Sequence, residues 1–183
     1  MYRRARRRAA AVLARDAEGF TALGYRSSGR LDDLRLGLTR QGGLPLRLTL
    51  EPTGGRIFGG TFALDIATDD PVLPVTRGLS ARGRGLVRLQ GIAFRAKRDD
   101  AAGEALAARL GRDDTLRDAL SSVHFERIRV DPDGRAVIRH LGGALVWLLF
   151  PPMARPIPLV ADQIGATVLA LEAFARAGER SAG

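Results

Sequence analysis

Apolar and polar residues alternate with a period of two in the first half of the chain. Leucine occupies every second position over residues 34–38 and again over residues 44–50, and Gln41-Gly42-Gly43 lies between the two runs. Paired glycines between alternating segments are typical of a turn. The pattern predicts an antiparallel β-hairpin with one apolar face and one solvent-exposed face.

A second alternating segment surrounds Asp131-Pro132-Asp133-Gly134. Proline presets φ at the first turning position and glycine accepts a left-handed conformation, so a type I turn with a bulge is predicted. In the resulting register Ile128 faces Ile138, and Glu126 faces His140. The opposite face of this hairpin carries four arginines: Arg127, Arg129, Arg135 and Arg139.

The remaining elements are predicted from periodicity and capping residues. Helices are expected over residues 2–18, after Asp99-Asp100, after Asp113-Asp114, and over residues 159–177. Because helix capping explains both aspartate pairs, no catalytic role is assigned to them. Strands are predicted over residues 20–26, 61–67, 86–97 with a bulge at Gly91, and 144–150, and residues 68–85 are predicted to form a surface loop.

The expected fold class is α+β. It consists of a largely antiparallel sheet of about seven to nine strands, with the N-terminal helix, two central helices and one C-terminal helix packed on one face and at the ends. The length favours one domain over residues 1–183. The basic helix of residues 1–18 is expected to fray in its first turn, because cations there oppose the helix dipole, and its alanine-rich face favours a disordered, solvated end.

The order strand, helix, helix, hairpin, strand, helix from Ile92 onward resembles uncharacterised bacterial families known only as domains of unknown function. The resemblance covers the second half of the chain and rests on the order of elements. It implies no activity and no catalytic residue.

Composition narrows the chemistry. The chain has no cysteine, which excludes disulfides, thiolate metal sites and cysteine nucleophiles. Its net charge is +9, and five of the positive charges are arginines within residues 3–8. No segment reaches the roughly eighteen uncharged apolar residues of a membrane-spanning helix. We therefore expect a cytoplasmic protein with a basic N-terminal segment.

Both histidines and one carboxylate share the less charged face of the second hairpin. His124, Glu126 and His140 would supply two imidazoles and a carboxylate to iron or zinc, since neighbouring side chains on one face of a sheet can converge. The alternative is a hydrogen bond between Glu126 and His140, with His124 exposed. A two-residue turn would instead place Glu126 opposite Arg139 and separate the three groups.

Residues 77–85 place three arginines among glycines. Backbone N–H groups beside Arg77, Arg82 and Arg84 would bind a phosphate or a carboxylate. No P-loop or dinucleotide-binding spacing accompanies them. A mobile surface loop is the alternative that this composition favours.

These features predict a non-enzymatic interaction domain. Its candidate surfaces are the arginine-rich N-terminus, the face with Arg127, Arg129, Arg135 and Arg139, and the apolar segment 147–153. An acidic protein, an anionic membrane surface or a second copy of the chain are the expected partners. No cofactor is predicted, and neither is nucleic acid, because the aromatic residues do not alternate with the arginines.

A ligand-binding protein is the alternative function. A small anion or a hydrophobic molecule would lie between the sheet and the C-terminal helix, in a pocket lined by Trp147 and Phe174 with an arginine at its mouth. A metal-dependent enzyme that uses the two histidines and Glu126 is a third hypothesis.

Overall fold

The computed structural model describes residues 2–54, 59–84, 91–148 and 152–180. The helices are α1 (Tyr2–Gly19), α2 (Ala101–Arg112), α3 (Asp114–Ser121) and α4 (Ala161–Glu179). The strands are β1 (Arg26–Ser28), β2 (Arg35–Thr39), β3 (Leu46–Thr53), β4 (Gly59–Thr68), β5 (Leu79–Arg84), β6 (Gly91–Ala96), β7 (Phe125–Val130), β8 (Ala136–His140), β9 (Ala144–Leu148) and β10 (Met153–Ile157).

All ten strands of the described residues join one antiparallel sheet that divides at β4. The main path runs β1-β2-β3-β4-β8-β7-β5-β6, and β9 pairs with β4 and β10 beside it. The first half of β4 pairs with β9, from Gly59 opposite Leu148 onward, and the second half pairs with β8, where Ile66 lies opposite Ile138. The β9–β10 hairpin is therefore a short branch of the sheet.

One row of apolar side chains crosses seven strands. From β2 to β6 the residues in register are Leu36, Leu48, Ile66, Ile138, Ile128, Ala81 and Phe94. All are buried except Phe94, which packs against the core while partly exposed. The helices pack against this sheet, α1 on β2, β3 and β9, α4 on β4 and β8, and α2 on β6. This arrangement confirms the α+β class with helices at both ends of the chain.

The helix caps and the first hairpin form where the sequence predicted them. Asp100 caps α2 by accepting a hydrogen bond from the Gly103 N–H at 2.9 Å, and Asp113 caps α3 by accepting one from the Leu116 N–H at 3.0 Å. The first hairpin is antiparallel as predicted, and Leu36 lies opposite Leu48 in it.

Several expected boundaries were wrong. The sheet has ten strands, because residues 153–157 pair with β9 despite Pro156 and residues 79–84 form β5. Glycines indicated a loop at β5, but pairing with β6 and β7 stabilises a strand that local preference disfavours. Residues 20–26 form a 3₁₀ turn followed by the start of β1. The predicted strand segments 86–90 and 149–150 lie outside the described residues, while Gly91 itself pairs with Arg84.

The N-terminal helix is packed rather than solvated. It is helical from Tyr2, and Ala5 and Ala9 are 4% and 0% exposed. Alanine was expected to give too weak an apolar face, but its small side chain lets the helix backbone approach the sheet closely. Val12 and Leu13 extend the same buried stripe.

Candidate functional site

A groove lies between α1 and the β9–β10 hairpin. Its volume is about 450 Å³, and it is lined from the helix by Arg4 and Arg8 and from the strands by side chains that include Trp147, Leu148 and Met153. Arg4 and Arg8 are one helical turn apart and therefore lie on the same side of α1. The groove thus has an apolar floor and a cationic rim.

Trp147 is held in place by neighbours on β4 and α1. It lies opposite Gly60 of β4, where a Cβ atom would come within 3.2 Å of the indole Nε1, so glycine leaves room for the ring. Tyr2 stands edge-on to Trp147 with ring centroids 6.2 Å apart, and it also stacks on Phe62 at 6.0 Å. Trp147 is 5% exposed, and α1 contributes to covering it.

The first turns of α1 concentrate positive charge beside this groove. Arg3, Arg4, Arg6, Arg7 and Arg8 are all exposed, and the helix has no acidic residue in its first turn. Cations at a helix N-terminus oppose its dipole, so this placement lowers the stability of the helix. Residues that break a local rule in this way are expected at functional surfaces.

Exposed apolar side chains continue the groove along β10. Among the described residues, nine large apolar side chains are exposed. Six of these lie at the start of α1 or within residues 141–160: Tyr2, Leu141, Leu148, Met153, Ile157 and Val160. A second groove of about 400 Å³ lies along β9 and β10, with Arg155 in its lining. Contiguous apolar side chains on a protein surface are candidates for an interaction site.

The predicted pocket between the sheet and the C-terminal helix is not where the tryptophan lies. Trp147 faces α1, whereas Phe174 of α4 packs edge-on against Phe94 of β6 with ring centroids 6.0 Å apart. The two aromatic residues therefore line different regions. The sequence indicated an apolar site with arginine near Trp147, but it assigned the wrong helix as the cover.

The predicted anion loop at Arg77, Arg82 and Arg84 is not formed. From Leu79 onward its backbone belongs to β5 and pairs with β6, and the N–H of Arg77 donates a 2.7 Å hydrogen bond to Asp100 Oδ2. These contacts use backbone groups that an anion would need. The side chains of Arg82 and Arg84 lie outside the described part.

The predicted arginine face is a network of internal ion pairs. Asp65 of β4 is 2% exposed and accepts from Arg139 Nε at 2.6 Å, Arg139 Nη2 at 2.8 Å and Arg129 Nη1 at 2.8 Å. Arg139 also pairs with Glu51, and Arg129 Nε donates to Asp131 at 2.9 Å. Hydrogen bonding to Asp65 raises the pKa of Arg139 above its usual value, although burial of the guanidinium acts in the opposite direction.

The other two arginines of that face are also engaged or enclosed. Arg135 donates to the Asp69 carbonyl oxygen at 2.8 Å and to Asp133 Oδ2 at 2.5 Å. Arg127 is partly buried, with its Nε enclosed. The expected interaction surface of Arg127, Arg129, Arg135 and Arg139 is therefore largely neutralised within the molecule, which is a correction to the sequence-based prediction.

His124, Glu126 and His140 do not come together. The turn has the predicted register, since Val130 pairs with Ala136, but a bulge between Phe125 and Arg127 places Phe125 rather than Glu126 opposite His140. Glu126 and His124 are exposed and His140 is 2% exposed. Among the residues that the structure describes, no group of three histidine or acidic side chains is arranged to hold a metal ion.

His140 instead joins a buried polar chain under α4. The Thr167 hydroxyl donates to the Gln163 carbonyl oxygen at 2.6 Å, so His140 Nε2, 2.9 Å away, donates to that hydroxyl oxygen. Gln163 Oε1 in turn accepts from the His124 N–H. Burial lowers the pKa of His140 to about 4, so the imidazole is neutral at pH 7. Its role here is to connect β8 to α4.

The structure is an α+β fold in which a groove with arginines on α1 lies beside the apolar β9–β10 hairpin. The chain belongs to the family described as Protein of unknown function (DUF3156), whose model matches residues 28–177. This confirms the resemblance to a domain of unknown function, and bacterial origin stays a prediction. The comparison with curated proteins found no match, and neither did the comparison with solved structures.

The matched range includes the floor of the groove but not its cationic rim, because it begins after α1. No helix in the described part of the chain has the length and apolar character that crossing a membrane requires.

Proposed function

We propose that this protein is a non-enzymatic interaction domain that binds an anionic membrane surface. Its docking face consists of the first turns of α1 and the β9–β10 hairpin. The observation that carries the proposal is the joining of five exposed arginines to an exposed apolar branch of the sheet. We place this action at the cytoplasmic side, since a chain without cysteine suits a reducing compartment.

The charge and the apolar area support each other at a lipid surface. An arginine near an anionic leaflet contributes about 1 kcal/mol, so the arginines of α1 together supply several. Stable peripheral binding generally takes a second contribution, and the exposed side chains of Met153 and Ile157 offer apolar area for insertion among lipid chains. The buried ion pairs of Asp65 offer no such surface. The docking face therefore consists of the first turns of α1 and the β9–β10 hairpin.

Co-sedimentation with lipid vesicles tests the proposal. We expect binding to vesicles that contain phosphatidylglycerol, none to vesicles of phosphatidylcholine alone, and weaker binding as salt increases. The double variant Arg4→Glu/Arg8→Glu should reduce binding about tenfold or more. Glutamate near a helix N-terminus stabilises the helix, so a loss of binding would not reflect unfolding of α1.

The matched control is Lys97→Glu/Arg98→Glu, which changes the net charge equally at two exposed residues between β6 and α2. It should bind anionic vesicles like the natural protein. Equal losses in the two double variants, or no binding to anionic vesicles in low salt, would refute a localised docking face. Binding to polyglutamate without binding to vesicles would reassign the face to an acidic protein.

A second candidate is a small anionic amphiphile held in the same groove. A volume of about 450 Å³ lies within the roughly 300–1,000 Å³ of typical ligand sites. Trp147 is the only tryptophan, so its fluorescence reports on the groove directly. Saturable quenching or a blue shift with monomeric decanoate, without vesicle binding, would favour this candidate over the membrane surface.

A further inference from the structure

Arg109, near the end of α2, is a partly exposed residue that has two enclosed guanidinium nitrogens. Its Nε and Nη2 are enclosed, and neither has a hydrogen-bond partner within the described residues. An enclosed donor without a partner is costly, and more so when it carries charge. An ordered ion or water molecule would satisfy such atoms.

Two further arginines surround the same place. A cavity of about 340 Å³ lies where the end of α2, the start of α3 and the end of α4 meet, and its lining includes Arg109, Arg112 and Arg180. Asp113 also lines it but is engaged, since it pairs with Arg180 and caps α3 through the Leu116 N–H. The three guanidinium groups thus exceed the carboxylate by two positive charges.

The acidic residue next in the chain does not neutralise the cavity. Asp114 pairs with Arg117 at 2.7 Å, and its side chain is 80% exposed. The other enclosed atoms without partners among the described residues are Asp16 Oδ2, Arg127 Nε and His140 Nδ1. Each of those is a single atom, whereas Arg109 contributes two nitrogens of one guanidinium to a cavity that further arginines line.

We propose that this cavity between α2, α3 and α4 binds a phosphate group. Arginine forks match the oxygen geometry of phosphate and bind it through paired, charge-assisted hydrogen bonds. Leu110 and Ala177 add apolar lining, and the volume exceeds that of a phosphate ion, so the site has room for an organic phosphate monoester. This proposal is independent of the membrane docking face.

Titration calorimetry on the full chain tests it, with inorganic phosphate and phenyl phosphate as probes and with sulfate and acetate for comparison. We expect saturable binding of a phosphate probe that Arg109→Gln weakens about tenfold or more and that Arg109→Lys weakens less. Arg117→Gln is the control, because Arg117 is exposed on α3 and outside the cavity lining. It should bind phosphate like the natural protein.

The two phosphate probes distinguish the sources of the ligand. Tighter binding of phenyl phosphate would identify an organic phosphate, and equal binding would identify free phosphate. Circular dichroism of each variant shows whether it remains folded. Absence of saturable phosphate binding in low salt, or equal losses in Arg109→Gln and Arg117→Gln, would overturn the proposal and leave Arg109 hydrated by water.

Discussion

At the scale of single residues, His140 is a buried base that its surroundings keep neutral. Burial lowers its pKa to about 4, compared with about 6.5 in an unfolded chain. Between these values the unfolded state binds the proton more readily than the folded state does. The contribution of His140 to stability is therefore complete above about pH 6.5 and is lost as the pH falls toward 4.

This difference gives a prediction for His140→Gln. From pH 7 to pH 4.5 the natural protein should lose about 2 kcal/mol of unfolding free energy that the variant does not lose. Urea unfolding at the two pH values measures it. Burial raises the pKa of Asp16, which acts in the opposite direction, but Asp16 is present in both proteins and cancels in the comparison. If the unfolding free energies of the two proteins changed equally with pH, the pKa of His140 would not be lowered in the folded protein.

Single residues also show why part of the arginine chemistry was not predictable. Arg129 and Arg139 lie on a strongly charged strand face, as the alternation indicated. Their carboxylate partner Asp65 precedes them by 64 and 74 residues, and Glu51 precedes Arg139 by 88. No local pattern contains such pairs, because they depend on which strands become neighbours. A buried, paired arginine and an exposed one therefore look the same in sequence.

At the scale of elements, one extra residue in β7, Glu126, separates the three side chains of the predicted metal site. The turn residues of the β7–β8 hairpin specified its register correctly near the turn, with Ile128 opposite Ile138. The bulge at Glu126 then shifts the strand by one position, and a shift of one moves a side chain to the other face. Turn chemistry predicts pairing near the turn, but nothing in the composition of residues 124–127 indicates the bulge.

The packing of α1 is the element-scale feature on which the docking face depends. Ala9 is fully buried and Ala11 is exposed, so the two positions form a matched pair. We expect Ala9→Arg to detach α1 at a cost of about 2–4 kcal/mol, since Ala9 is fully buried and a charged side chain there would lose its water. Trypsin should then cleave within residues 3–8 faster, and Trp147 fluorescence should shift to the red.

Ala11→Arg adds the same charge and the same cleavage site, and it should leave both measurements unchanged. Circular dichroism would confirm that the remainder of Ala9→Arg stays folded. If the two variants were equally sensitive to trypsin, α1 would be only weakly attached, and the groove would lack a stable rim.

At the scale of the whole molecule, the sheet was the most predictable feature because its signals repeat. Alternating leucines, glycine turns and capped helices each indicated the same α+β arrangement, and agreement among levels is what makes a sequence specify one fold. The fork at β4 was not predictable, since β8 and β9 pair with different halves of one strand. That fork places the β9–β10 hairpin beside α1, where the groove lies. The position of the groove was therefore not predictable, because it depends on pairing between strands that are distant in sequence.

The same topology predicts how the molecule opens. β4 has β3 on one side and β8 or β9 on the other, whereas β10, among the described residues, pairs with β9 alone. Because the chain length favours one domain, we expect amides of β4 to exchange with solvent only through global unfolding, and amides of β10 to exchange about a hundredfold faster or more. Hydrogen exchange followed by mass spectrometry on peptides of the two strands measures this.

Exchange in β4 that is faster than global unfolding would mean that the two sides of the sheet separate before the chain unfolds. Equal protection of the β4 and β10 amides would mean that the β9–β10 hairpin is as stable as the centre of the sheet.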